Sequence, residues 1–253
     1  MKRALLLVCA AALLVGCSGD DESSTGNDAD TPTAISVYFL LDGKVWPVRR
    51  DVTRQNSETA TALSTLAAGP TEDEIEALGL SSEVPEELEE ATILLRSDAP
   101  RRLVTDVVDL SDEALAQIVY TLTQIPPFSD EIAIPVDGED RVFGRADFEE
   151  QTPSVLVESP LAFEEVSSPV QASGTANTFE ANFHYTLTDT DGLIVDENFV
   201  TATSGTGTRG TFEFTTDEYT VPFDGIGALI VFERSAEDGS KVNIVEIPLR
   251  MSR

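Results

Sequence analysis

The hydrophobic rhythm of the chain changes once, across residues 137–153, and that change divides what its two halves can become. Before it, helix-like and strand-like patterns are interleaved. After it, only the two-residue alternation of half-buried strands recurs, broken by turn residues. The first half opens with Ile35 to Leu41, which is apolar and rich in β-branched and aromatic residues. Asp42-Gly43 is a hairpin signal, and Lys44 to Arg50 is the return strand. Pro47 has no N–H to give a ladder, so this strand belongs at an edge or end. Residues 57–68 read as a helix with Ala62, Leu63 and Leu66 on one face, ended by Gly69-Pro70. Thr71 and Glu74 have capping-box spacing for a short helix through Leu78 that Gly79 stops. Residues 91–97 and 103–110 read as strands. Ser111 then caps the clearest helix, with Asp112 and Glu113 in its first turn, where the helix dipole favours negative charge. Leu115, Ile118, Val119, Leu122 and Ile125 follow the helical period until Pro126-Pro127, and residues 132–136 form a last strand. This order predicts an α+β domain over 35–138, a mixed sheet with two to three helices.

Residues 139–154 read as a charged linker, and 155–253 as an all-β domain. Strands are expected at 155–158, 168–175, 181–189, 193–201, 210–215, 227–234 and 242–249. Asp191-Gly192, the run Ser204 to Gly207, Asp224-Gly225 and Asp238-Gly239 punctuate them. Seven short strands at this spacing predict an antiparallel sandwich of immunoglobulin type. Its core candidates are Phe179, Phe183, Tyr185, Leu187, Phe199, Phe212, Phe214, Ile230, Phe232, Ile244 and Ile247.

The N-terminus carries a different signal. Met1-Lys2-Arg3 is positive, and Ala4 to Val15 is an apolar run of twelve residues. That is short of the ~20 needed to span a bilayer as a helix, and has the form of a secretory leader. Leu14-Val15-Gly16-Cys17 resembles the bacterial lipobox. The resemblance implies removal of residues 1–16, lipid (palmitate-type acyl chains) on Cys17, and a protein held on the outer face of the cytoplasmic membrane. Plain secretion with cleavage near the same place is the alternative. Residues 17–34 are acidic and nearly free of apolar side chains, and are expected to form a disordered tether. Cys9 would leave with the leader, so Cys17 is the only cysteine left and no intrachain disulfide is available.

Charge narrows the function further. Loss of Lys2 and Arg3 leaves 14 basic residues against 46 acidic ones, a net charge of about −32. Nucleic-acid binding needs a basic footprint and is excluded as an expectation. His184 is the only histidine, so a multi-histidine metal site is impossible, and the alternating pattern around it makes it a strand residue on a polar face. Asp189 to Gly192 begins like a calcium loop, but the twelfth position is Val200 rather than glutamate, and a β-turn is the simpler reading. The carboxylates at 72–74, 76, 83, 86, 87, 89 and 90 are too commonplace in so acidic a chain to mark an acid–base pair. No catalytic, cofactor or metal residue is assigned. Arg49-Arg50 and Arg101-Arg102 are the only paired basic positions and are the candidates for a partner contact.

Two family resemblances cover most of the chain. Residues 36–138 resemble the GerMN domain of bacterial sporulation and germination proteins. The matching stretches are Leu66 to Thr71, Gly79 to Ser82 with Pro85, Val108 to Ser111, Gln117 to Thr123, and Val136 to Gly138. Residues 159–250 are similar to the immunoglobulin-like domain that follows GerMN. The matching stretches there are Ser159 to Leu161, Gly174 to Asn177 with Phe179-Glu180, Thr203 to Gly207, Gly210 to Phe212, and Ile247 to Leu249. Thr208 departs from the pattern, since relatives often carry cysteine there. The resemblance implies a non-enzymatic protein-binding or assembly module of the cell envelope, with an envelope protein as partner. Recognition or remodelling of cell-wall glycan, with peptidoglycan as partner, is the alternative from another class.

Overall fold

In the computed structural model the described residues are 32–53, 57–95, 100–107, 109–125 and 130–253. The leader, Cys17 and the tether as far as Thr31 lie outside them.

The chain enters through a long hairpin. β1 (Pro32–Leu41) pairs antiparallel with β2 (Lys44–Thr53) around Asp42-Gly43, where Asp42 has φ +50° and Gly43 φ +74°. Pro32, Thr33 and Ala34, expected in the tether, pair with Thr53, Val52 and Asp51. Polar residues extend the ladder here because a hairpin's register is set by its turn rather than by burial. Pro47 lies on β2, which has no second partner strand among the described residues.

α1 (Glu58–Ala67) is capped by Ser57, whose side chain accepts from the Ala60 N–H. α2 (Glu72–Leu78) has the expected capping box: Thr71 Oγ1 accepts from the Glu74 N–H, and Glu74 accepts from the Thr71 N–H. Gly79 ends it in the left-handed region. A short 3-10 segment at 86–90 leads to β3 (Thr92–Leu94) and β4 (Arg101–Val104), both shorter than their sequence suggests. α3 (Asp112–Thr123) crosses over to β5 (Glu131–Val136), which lies parallel to β4.

β5 then turns into β6 (Glu139–Gly144), giving a four-stranded mixed sheet in the order β3-β4-β5-β6. This corrects the linker reading. Its charged residues Glu139, Asp140 and Arg141 are exposed on both faces of an edge strand that is buried only at Phe143, and its 145–151 portion is a 3-10 segment that buries Phe148. Charges on an edge strand face water, so composition alone made β6 look irregular.

α3 is the centre of the domain. It packs against β1, β2, β5, α1 and the 145–151 segment, and is buried on every side. The five expected apolar residues are buried, and so are the polar Gln117, Thr121 and Thr123.

The second half forms two facing sheets, one ordered β11-β10-β13-β14-β8 and the other β12-β9-β7. The strands are β7 (Val155–Ser159), β8 (Glu165–Val166), β9 (Gln171–Ala176), β10 (Asn182–Thr188), β11 (Ile194–Thr201), β12 (Gly210–Thr215), β13 (Gly225–Arg234) and β14 (Lys241–Met251). Phe183 meets Phe212 edge-on, with ring centroids 4.8 Å apart, and Tyr185 stacks on Phe214 at 4.4 Å; these contacts join the sheets. Gly174 sits where β7, β9 and β12 converge, and a Cβ there would collide with the Leu156 carbonyl.

Three core candidates are exposed instead: Phe179 (70 %), Phe199 (62 %) and Ile244 (55 %). Phe199 lies opposite His184, whose neighbours Phe183 and Tyr185 point inward, so the pleat turns Phe199 to the outer face. Phe179 belongs to a 3-10 turn that precedes β10. Ile244, next to Asn243 (φ +50°), lies within the register shift between the Val242–Glu233 and Val245–Val231 pairs. His184 stacks on Phe232, which is buried on that same outer face under Lys241 and Arg234.

Candidate functional site

The four arginines singled out by sequence go to four different partners. Arg101 is buried, and its guanidinium donates to the carbonyls of Leu122 and Ile125, closing the C-terminal end of α3. Arg50 pairs with Glu74 and lies over the Phe39 ring. Arg102 pairs with Asp140 of β6. Arg49 is exposed and reaches Glu164 of the second domain at 3.8 Å. Arg50 and Arg101 are therefore structural, and the reading of all four as a contact patch is corrected: pairing in sequence on a strand sends neighbouring side chains to opposite faces.

What sequence reasoning missed is the seam between the domains. Tyr38 of β1 donates its hydroxyl to Glu158 of β7 at 2.5 Å. Arg145, from the former linker, donates to the same carboxylate at 2.8 Å and lies over the rings of Tyr38 and Tyr120. Burial, then the Glu158 charge, raises the Tyr38 pKa well above its ordinary value, so the hydroxyl stays a donor. On a second side, Glu149 accepts from Asn177 and takes both ends of the Arg209 guanidinium, at 2.8 and 3.0 Å. Partial burial opposes ionisation of Glu149, but the bonds from Arg209 and Asn177 outweigh it and lower its pKa. Arg209 also donates to the Pro153 carbonyl, and Lys44 to the Glu150 carbonyl. Apolar packing runs on through this seam, so a single buried cluster includes residues from Ile35 to Met251. The only sequence cue was the presence of Arg145 and Glu149 in the charged stretch.

Two of the surface crevices lie at ends of elements already described. One, of about 720 Å³, is lined by Glu83, Glu87, Glu90, Asp106, Asp109 and the α3 cap Ser111. The other, of about 670 Å³, lies between the tip of the first hairpin and β14. Among the described residues no group of three or more His, Cys, Asp or Glu side chains is placed to hold a metal ion. Asp189 is spent on its own turn, accepting from the N–H groups of Asp191 and Leu193. Among the described residues no helix is long and apolar enough to cross a membrane.

An α+β domain sealed to an immunoglobulin-like sandwich defines the class: a two-domain protein whose recognisable surfaces lie on sheet faces and at the seam. Residues 36–142 match the Germane family, described as sporulation and spore germination, and residues 154–240 match Gmad2, the immunoglobulin-like domain of bacterial spore germination. The chain is thus a Germane domain followed by a Gmad2 domain. A search of curated proteins returns no match.

Proposed function

We propose that this chain is a non-enzymatic binding and assembly module of the cell envelope, held on the outer face of the cytoplasmic membrane by lipid on Cys17. The seam carries this reading. Ionic and aromatic contacts among Tyr38, Tyr120, Arg145 and Glu158, and among Glu149, Asn177 and Arg209, make the two domains one block. A rigid block keeps the surfaces of both domains at a fixed spacing, which suits a part that joins others. The exposed Phe199, Leu193 and Ile194 of the second domain supply apolar contact area.

The test is in-cell crosslinking of tagged protein, comparing the native chain with Cys17→Ala. A discrete envelope protein captured only by the native chain is the expected result. Recovery of peptidoglycan fragments alone from both forms would transfer the reading to glycan recognition. A purified soluble form with hydrolase activity abolished by one carboxylate substitution would overturn the non-enzymatic assignment.

A further inference from the structure

The crevice between the first hairpin and β14 has two features that nothing among the described residues uses. The first is an open strand edge. β14 pairs with β13 except at the bulge of Asn243 and Ile244, but with β8 only at Arg250 and Met251. Among the described residues no strand pairs with the remaining edge, from Lys241 to Ile247. Alternation along the ladder decides which main-chain groups point there. Pro248 has no N–H, so its pair with Ala228 is a non-hydrogen-bonded one. Accordingly the Pro248 carbonyl accepts from Phe163, and the Arg250 N–H donates to Glu164, both away from β13. Two residues back, Glu246 presents its N–H and C=O on that same side, and Glu246 with Asn243, Ile244 and Val245 forms one wall of the crevice.

The second feature is an orphan donor. Trp46 also lines the crevice and is 5 % exposed, and its buried indole Nε1 has no hydrogen-bond partner among the described residues. A buried donor left unpaired is costly, so a segment that repacks this wall and brings an acceptor would stabilise it. A protein main chain supplies carbonyls at regular spacing, and an unpaired strand edge is a template for one.

We propose that this crevice receives an extended, lysine- or arginine-bearing segment of a partner protein, which adds as a strand to β14 beside Glu246 and packs against the Trp46 side of the crevice. Charge selects the basic segment. Asp42 and Glu246 line the crevice, its Lys44 is turned to the Glu150 carbonyl, and the whole chain carries a net charge of −30. Val245 and Glu246 keep the regular ladder with β13 and continue into Ile247, whereas Asn243 (φ +50°) and Ile244 form a bulge that ends the regular edge. Exposed Ile244 provides apolar contact for alternate side chains of the segment. This inference rests on the reading of the chain as a binding module and names how it binds.

The chain has one tryptophan, so Trp46 emission reports on this crevice alone. The probe is an acetylated octapeptide alternating lysine and valine. Its controls are the same peptide with alternate backbone nitrogens methylated, and a glutamate-for-lysine peptide. The expected result is a saturable change in Trp46 emission with slowed amide exchange at Glu246, and affinity about tenfold lower for both controls. Glu246→Pro, which removes the edge N–H and leaves the β13 ladder as Pro248 does, should bind about tenfold more weakly while keeping its circular dichroism. Equal binding of the methylated and parent peptides, or unchanged emission and exchange at millimolar peptide, overturns the inference without need of the variant. Retention of the in-cell crosslinked partner by Glu246→Pro overturns the edge and leaves the assembly reading intact. Peptide binding at the edge in a chain that captures no partner in cells supports the edge and overturns the assembly reading.

Discussion

Gln117 of α3 donates from Nε2 to the carbonyl of Tyr38 on β1, 3.1 Å away, in the place where a neighbouring strand would stand. Four residues on, Thr121 Oγ1 accepts from the Tyr38 N–H at 3.0 Å, and Gln124 donates to the Ser36 carbonyl at 2.7 Å. Polar side chains at helical spacing therefore satisfy the outer edge of β1. Gln117 also accepts from the Glu83 N–H and donates to Ser82. Gln117→Leu and Thr121→Val each leave buried main-chain groups unpaired, and each should cost about 1–3 kcal/mol, read from denaturant midpoints at constant m.

Glu149 gives the seam a dependence on pH. Its pKa is lower in the folded protein than in the unfolded chain, so its stabilising contribution is complete above the unfolded value, about 4.3, and is lost as pH falls through the lowered folded value. Glu149→Gln should accordingly have a lower Tm than the native protein at pH 7, and the gap should close as pH is taken below about 4. A gap that stays constant into acid would show that Glu149 acts through shape alone.

All four tyrosines resist ionisation. Burial is the leading cause at Tyr38, Tyr120, Tyr185 and Tyr219, and a carboxylate strengthens it at Tyr38 and Tyr185. A raised folded pKa contributes stability that is complete below the unfolded value near 10 and is lost as pH rises toward the folded one. Absorbance titration at alkaline pH should show phenolate appearing together with loss of circular dichroism, whereas protein in denaturant should titrate near 10.

Gly174→Ala tests the second domain. The added methyl group meets the Leu156 carbonyl and the Phe212 ring, neither of which can yield without moving β7 or the joint between the sheets. A cost of about 1–3 kcal/mol or more is expected in thermal or denaturant unfolding. Gly239→Ala, in an open turn with φ +73°, meets no atom and is the comparison that isolates backbone strain from collision.

The elements were largely legible in the residues. Ser57, Thr71 and Ser111 cap the three α-helices as their chemistry requires, and Asp42-Gly43 turns the first hairpin. The strands of the second domain follow their alternation, and Phe183, Tyr185, Leu187, Phe212, Phe232 and Ile247 are buried as expected. The failures share one cause. Charged β6 is defined by its pairing with β5, exposed Phe199 by which face of a strand is covered, and Arg101 by the helix end it meets; a neighbour decides each.

Local chemistry along the chain determined the caps, turns, strand periods and the change from an α+β half to an all-β half, because each depends on residues within a few positions of one another. The tertiary structure alone decided that Gln117 would finish a strand edge, that Arg145 and Glu149 would seal two domains, and that Trp46 and Glu246 would line one crevice. These relationships join residues from 13 to roughly 200 positions apart, such as Arg145 bonded to Glu158 and Trp46 lining one crevice with Glu246, and only the folded backbone brings such residues to one place.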